Sequence, residues 1–200
     1  QEGHGVPHDY GQAVIWYRKA AEQGSVSGQF YLGYAYFSGE GVSRDYEQAA
    51  FWYRKAAEQG NADAQSNLGV RYTKGEGVPQ DYGQAAFWYR KAAEQGNATA
   101  QFNLGVIFAT GKGVPRDYGQ SAFWFRKAAE QGDADAQLNL GNSYYDGQGV
   151  SQDYEQAMSW FRKSAERGNA RAQHNVGMQY ERGQGVPQDY GCLLYTSPSP

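Results

Sequence analysis

The sequence predicts an all-α fold, a right-handed α-solenoid of antiparallel helix pairs with a 36-residue repeat. The dipeptide Asp-Tyr recurs at intervals of 36 residues from residue 9 to residue 189. All five tryptophans share one position of that repeat. A period of this length is typical of solenoids, in which each unit covers the apolar face of its neighbour. The tryptophans are Trp16, Trp52, Trp88, Trp124 and Trp160.

Each repeat is predicted to hold two helices, and the longer one, helix B, begins at the Asp-Tyr pair. Asp81 stands three residues before Gln84, and this capping-box spacing lets both side chains satisfy free backbone amides. Helix B ends at a glycine such as Gly96, which can adopt the left-handed conformation that closes many helices. The pattern therefore supplies both a start and an end for helix B.

Helix A is predicted to follow after a very short link. Asn97 comes directly after Gly96 and is a favourable N-cap residue. So short a link permits only a tight turn between antiparallel helices. Helix A then runs to a Gly-x-Gly-Val loop, such as residues 111–114, which leads to the next Asp. The five copies of helix A begin near Val26, Ala62, Ala98, Ala134 and Ala170.

Two recurring motifs resemble those of the Sel1-like repeat family, relatives of the tetratricopeptide repeats. They are Ala-Gln-x-x-Leu-Gly-x-x-Tyr at residues 64–72 and Trp-Tyr-Arg-Lys-Ala-Ala-Glu-Gln-Gly at residues 88–96. The resemblance covers residues 3–191 and implies an α-solenoid that serves as an interaction scaffold, without implying a particular ligand. We therefore expect residues 1–191 to form one repeat array, truncated at both ends.

Residues 192–200 depart from the repeat pattern. Where helix B should continue, the chain reads Cys-Leu-Leu-Tyr-Thr-Ser-Pro-Ser-Pro, and its prolines would break a helix. This segment resembles the translation of a DNA-sequencing adapter, so we interpret it as a non-native tail; a divergent natural C-terminus is the alternative. Cys192 is the single cysteine of the chain, and one thiol gives neither a disulfide framework nor a zinc site.

Helix A has one constant and one variable face when its five copies are compared. At about 100° per residue, the constant positions of Gln29, Leu32, Gly33 and Tyr36 fall on one side. That side is expected to pack, with the glycine letting a neighbouring aromatic ring approach. The position of Ala35 lies between the faces and is expected to be partly buried. The variable positions are 27, 30, 34, 37 and 38 of the first copy and their equivalents.

We expect the variable face to bind a peptide or protein, because the fold does not need it and it carries clustered aromatic residues. In a solenoid that resembles tetratricopeptide repeats, this face lines the concave groove. The alternatives are ordinary solvated surface and partial packing against the preceding helix B. The candidate partner-binding residues are Phe30, Tyr34, Phe37, Lys74, Phe102, Val106, Leu138, Asn142, Tyr145, Arg171, His174 and Met178.

Two further side-chain patterns recur with the repeat. Asn67, Asn103, Asn139 and Asn175 lie beside the variable face. They predict either a ladder of amides that binds the backbone of a ligand or hydrogen bonds that fix a neighbouring turn. On helix B, arginine and glutamate stand four residues apart, which predicts ion pairs on a solvated face. The pairs are Arg54/Glu58, Arg90/Glu94 and Arg126/Glu130.

Composition argues against several classes of function. The net charge of −3 and pI of about 5.6 do not match a nucleic-acid footprint, which would be strongly basic. No apolar run reaches the ~20 residues of a membrane span. The histidines His4, His8 and His174 form no ligand cluster with cysteine. The aspartates recur six times, so capping explains them without catalysis, and we expect no cofactor.

Three hypotheses follow for the function. The first is a module that binds a peptide or protein segment, and the second is a scaffold that bridges partners through the outer face of helix B. The third is an enzyme like the β-lactamase-like, cysteine-rich relatives, whose repeats carry paired cysteines that residues 3–191 lack. Variation on helix A favours the first. The resemblance is commonest in bacteria, and such relatives are often periplasmic or secreted.

The truncated ends also predict self-association. Terminal repeats of solenoids normally present a polar outer side. Here Trp16 and Tyr17 lie near one end and Tyr180 near the other. We expect the chain to form oligomers whose mass, measured by light scattering, rises with concentration; a constant monomer mass would contradict this.

Overall fold

The computed structural model describes residues 8–185 and contains ten α-helices in that range, each 13 residues long. Helices A and B are thus equal in length, and the prediction of a longer helix B is wrong. The expectations for residues 192–200 and His4 lie outside the described residues. The helices are α1 (Tyr10–Glu22), α2 (Val26–Ser38), α3 (Tyr46–Glu58), α4 (Ala62–Lys74), α5 (Tyr82–Glu94), α6 (Ala98–Thr110), α7 (Tyr118–Glu130), α8 (Ala134–Asp146), α9 (Tyr154–Glu166) and α10 (Ala170–Arg182).

Within the described residues, the helices fall into two compact units, α1–α6 in the first and α7–α10 in the second, with the boundary after residue 116. Odd-numbered helices are copies of helix B and even-numbered ones copies of helix A. In α1 and α2, the Gln29 amide donates to the Ala21 carbonyl, while Arg18 donates to the Tyr36 hydroxyl. Residue numbers rise along one helix as they fall along the other, so this pair is antiparallel. The predicted all-α fold of packed helix pairs is confirmed.

Helix caps form where the repeat places them. The Asp81 carboxylate accepts from the Gln84 backbone N–H at 2.9 Å, and the Asn97 side chain accepts from the Ala100 N–H at 2.9 Å. Gly96, between the two helices, has φ of +91°. The predicted N-caps and the left-handed glycine are therefore confirmed, and each cap contributes about 1 kcal/mol by satisfying an otherwise free amide. The reciprocal half of the capping box is wrong, because the Asp81 N–H donates to the Tyr72 carbonyl at 3.0 Å and not to the Gln84 side chain.

The constant face of helix A forms the core together with an aromatic ring of helix B. Leu68 is fully buried in α4, and a Cβ at Gly69 would lie only 2.6 Å from the ring of Tyr89 in α5. Gly33 has the same relation to Tyr53. These contacts confirm that the glycine is needed for close approach of an aromatic side chain.

The arginines of helix B bind aromatic residues of the next helix A. The Arg54 guanidinium donates to the Tyr72 hydroxyl at 2.7 Å, and Arg126 donates to the Tyr144 hydroxyl. In the fifth helix, the Arg90 guanidinium lies 5.5 Å from the centroid of the Phe108 ring. The predicted ion pairs of these arginines with Glu58, Glu94 and Glu130 are wrong, because the arginines reach across to the adjacent helix instead of along their own.

The buried tyrosines of helix B predict a loss of stability in alkali. Burial raises the pKa of Tyr53 and Tyr89 above the ordinary value, despite the nearby Arg71 charge. Above about pH 10, the unfolded chain loses protons that the folded chain retains, so stability is full below that pH and falls above it, by at most about 1.4 kcal/mol per pH unit per tyrosine. Urea unfolding measured from pH 8 to pH 11 checks this.

The matched control replaces both tyrosines with phenylalanine. Phe161 occupies the equivalent position in α9, so the core accepts this side chain. The double variant is expected to show a shallower decline above about pH 10. An equally steep decline in the double variant would contradict the assignment to these two hydroxyls.

Candidate partner-binding surface

The candidate residues on the variable face of helix A differ widely in exposure. Tyr34, Lys74, Arg171 and His174 are exposed, and Leu138 is buried. The other seven are half-buried, so they combine internal packing with access from solvent. These are Phe30, Phe37, Phe102, Val106, Asn142, Tyr145 and Met178.

Leu138 belongs to the core rather than to the surface. It is 2% exposed and packs in one cluster with Phe161 and Ala172. Ser66, at the same repeat position in α4, is also buried. The prediction of a free face is therefore wrong at these two positions, because they face the neighbouring helices of the stack. Leu138 is not accessible to a partner.

In the first unit, the aromatic candidates of α2 form two groups of ring contacts. The ring centroid of Phe30 lies 5.9 Å from that of Tyr53, and Phe37 lies 6.0 Å from Tyr46. Tyr34 lies 6.5 Å from Phe37 and is 45% exposed. Thus Phe30 and Phe37 join the variable face to helix B, while Tyr34 presents its ring to solvent.

In the second unit, a cavity of about 140 Å³ opens on the variable face between α8 and α10. Phe161 of α9 and Met178 provide apolar lining, and Tyr145 lines another side. Asn142 and Asn175 contribute amides. Three of these five residues come from the predicted candidate set, and Asn175 comes from the recurring asparagine position.

The asparagines make different contacts in different repeats. The Asn175 amide donates to Asn142 Oδ1 at 3.2 Å, whereas the Asn139 amide donates to the Asp135 carbonyl of its own helix. Asn139 therefore fits the structural interpretation, in which the side chain fixes a neighbouring turn. At the cavity, both N–H groups of the Asn142 amide and the carbonyl oxygen of Asn175 have no hydrogen-bond partner among the described residues. One asparagine therefore offers donors to a ligand and the other offers an acceptor.

Tyr145 is held in place at the edge of the cavity. Its hydroxyl donates to Gln184 Oε1 at 3.1 Å and accepts from the Arg182 guanidinium. Its ring packs edge-on against Tyr154, with centroids 5.3 Å apart. A side chain fixed at both ends loses little conformational freedom when a ligand binds, which lowers the cost of binding.

The sequence interpretation missed an ion pair between a buried arginine and a half-buried glutamate in the first unit. Arg71 is 4% exposed, and its Nη1 lies 2.6 Å from Glu76 Oε2. The position of Ala35, which Arg71 shares, was expected to be partly buried, and Ala35, Arg71, Ile107 and Gln179 are indeed buried. An arginine among these small and apolar equivalents, with a glutamate in the following loop, was the available signal.

A row of exposed aromatic residues on helix B was also missed. Phe51, Phe87 and Phe123 are 49%, 49% and 47% exposed. Each packs edge-on against the adjacent tryptophan and lies under the lysine one turn later, as with Lys91 at 5.0 Å from the Phe87 ring. The signal was a phenylalanine that recurs beside each of these tryptophans.

Within residues 8–185, no group of three or more His, Cys, Asp or Glu side chains is placed to hold a metal ion. In the same range, no helix is long and apolar enough to cross a membrane.

Comparison with known proteins identifies the repeat. The Sel1 repeat model matches six segments: residues 1–25, 26–61, 62–97, 98–133, 134–169 and 170–191. A search of curated proteins found no match.

Solved structures show the same architecture. Protein c5321, a protective antigen of uropathogenic Escherichia coli with an SLR fold, is 47% identical, with a TM-score of 0.83 over 86% of this chain. The chain spans only 37% of the length of that protein. A Sel1 repeat protein from Oxalobacter formigenes is 39% identical, with a TM-score of 0.84 over 93% of this chain and 76% of its own. Helicobacter pylori cysteine rich protein B is 28% identical, with a TM-score of 0.51 over 67% of this chain and 96% of its own.

Proposed function

Because the chain belongs to the Sel1 repeat family, whose members are generally non-catalytic protein-interaction modules, we propose that it binds a peptide or protein segment along the variable face of helix A. The observation that carries the proposal is the cavity between α8 and α10. Its apolar lining and paired amides suit a short stretch of polypeptide. On this proposal the chain is not an enzyme.

The cavity matches the chemistry of a peptide in two ways. Phe161 and Met178 offer apolar contact to one side chain of the ligand, and methionine adapts its shape to different side chains. The Asn142–Asn175 pair offers donors on one amide and an acceptor on the other. A peptide backbone presents the complementary acceptor and donor, so the pair is able to bind it regardless of sequence.

The surrounding candidates extend this contact area. His174 and Arg171 are exposed on the same helix as Met178, four and seven residues before it. In the first unit, the variable positions of helix A carry Phe30, Tyr34, Phe37, Lys74, Phe102 and Val106. We propose that both sets of residues contact the partner and that Leu138 supports the face from within the core.

A second candidate function is bridging through the outer face of helix B. The exposed Phe51, Phe87 and Phe123 favour it, because exposed aromatic clusters mark interaction surfaces. The two candidate functions use different helices, so substitutions on the helix A face leave the outer face of helix B intact, and the reverse also holds. The variable cavity residues favour the helix A face as the specific site, since the helix B phenylalanines hardly change between these repeats.

Affinity capture from a bacterial lysate and culture medium separates the two. The chain is compared with a helix A variant, Asn142→Asp with Met178→Lys, and a helix B variant with serine at the three phenylalanine positions. We expect the helix A change to weaken capture at least tenfold, about the effect of losing one central contact, and the helix B change to leave it intact. Circular dichroism must show equal helix content in all three proteins.

The reverse result would contradict the proposal. If the partner is retained by the helix A variant and lost by the helix B variant, the outer face is the interaction surface and the cavity residues are not the site.

A further inference from the structure

The buried Arg71 shows what kind of group fits between neighbouring repeats. Its guanidinium carbon lies 4.2 Å from the centroid of the Phe37 ring, and its Nη1 lies 2.6 Å from Glu76 Oε2. A guanidinium is thus held by an aromatic face and a carboxylate together, the two contacts that suit a planar, delocalised cation. The repeat itself contains a site for this group.

One repeat earlier, the same place has no arginine. Ala35 stands 36 residues before Arg71, and Glu40 stands 36 residues before Glu76. A cavity of about 200 Å³ lies there, lined by Ala35, Glu40 and tyrosine side chains. The carboxylate is retained while the internal cation is missing. The position equivalent to Phe37 is Gln1, which lies outside the described residues.

Tyrosine side chains line this cavity together with Ala13 and Val14, in the place where the Phe37 ring lies against Arg71 one repeat later. The tyrosines are Tyr10, Tyr17, Tyr31 and Tyr34. The rings of Tyr17 and Tyr31 are stacked, with centroids 5.2 Å apart. Glu40 is exposed and forms no ion pair within residues 8–185. Four aromatic rings beside an unpaired carboxylate favour a cation and give little stabilisation to an anion.

We propose that this cavity binds an arginine side chain of the partner, in the way the following repeat binds its own Arg71. The inference rests on the proposed function, because Tyr34 belongs to the variable face of helix A and the arginine would come from the bound segment. It adds a residue preference to that function: the partner carries an arginine that docks between α1 and α2.

The test uses the full chain and three small probes, N-acetyl-arginine amide, its uncharged analogue N-acetyl-citrulline amide, and N-acetyl-lysine amide. Binding is followed by NMR chemical-shift changes at Tyr31, Tyr34 and Ala35. We expect the citrulline and lysine probes to bind at least tenfold more weakly than the arginine probe. Equal binding of either control probe would overturn the assignment of a guanidinium site.

Two variants test the residues. Glu40→Gln removes the charge and is expected to weaken the arginine probe at least tenfold. Ala35→Arg gives the cavity an internal cation, as in the next repeat, and is expected to abolish binding. Unchanged binding in either variant, with helix content intact, would overturn the proposal. The Asn142→Asp, Met178→Lys variant is expected to bind the arginine probe normally. Loss of partner binding at the cavity between α8 and α10 is therefore distinguishable from loss of arginine binding between α1 and α2.

Discussion

Replacing Gly77 with alanine is expected to abolish cooperative folding of the array. Gly77 has φ of +74°, and a Cβ built there would lie 1.9 Å from the Tyr46 carbonyl oxygen and 2.2 Å from its carbon. The left-handed conformation alone costs about 1–2 kcal/mol for alanine. The collision is with backbone, so no side chain is able to turn away, and the loop must leave the start of α3.

The expected cost exceeds about 4 kcal/mol, which is exceptional for a single substitution and close to the whole stability of many domains. Far-UV circular dichroism and urea unfolding measure it. The control is Gly60→Ala, because Gly60 has φ of +94° but no atom within 4 Å of the added Cβ. That variant should lose only the conformational cost of about 1–2 kcal/mol. If Gly77→Ala and Gly60→Ala lower the free energy of unfolding equally, the collision with the Tyr46 backbone does not account for the loss of stability.

The same loop shows which parts of the repeat could be predicted from sequence and which could not. The second glycine of the Gly-x-Gly loop meets the first turn of the preceding helix B at Gly41, Gly77, Gly113, Gly149 and Gly185 alike. That contact joins residues far apart in the chain, whereas caps and left-handed glycines depend on residues close in the chain. Their sequence signals are therefore direct, and the helices, turns and constant face all follow from them.

The variable face was harder to predict because its burial depends on neighbouring helices. Helical periodicity gives the direction of Leu138 around α8 but not the position of Phe161 in α9, which covers it. Arg54 likewise stands four residues from Glu58 yet donates to Tyr72. The burial of Leu138 and the partner of Arg54 are both decided by contacts between helices and not by spacing within one helix. Contacts between helices also bring Asn142 and Asn175 to one cavity.

Replacing Glu76 with glutamine is expected to cost about 3 kcal/mol of stability, the lower end of the range for breaking a buried ion pair. Arg71 is 4% exposed and its Nε has no hydrogen-bond partner among the described residues, so the half-buried carboxylate of Glu76, 2.6 Å from Nη1, provides its compensating charge. Without that carboxylate, a cation remains in the core, next to Phe37 and away from water. The free-energy cost of burying this unpaired charge then destabilises the folded state alone.

Glu40→Gln is the matched control, because Ala35 replaces the arginine there and the carboxylate is exposed. We expect a change within about 0.5 kcal/mol, as for ordinary surface substitutions. Combining Glu76→Gln with Arg71→Met should restore most of the loss, since an apolar side chain needs no counter-charge. Urea unfolding of the four proteins measures these differences. If Glu76→Gln costs no more than Glu40→Gln, the buried arginine finds its compensation elsewhere, and the comparison between the two repeats loses its basis.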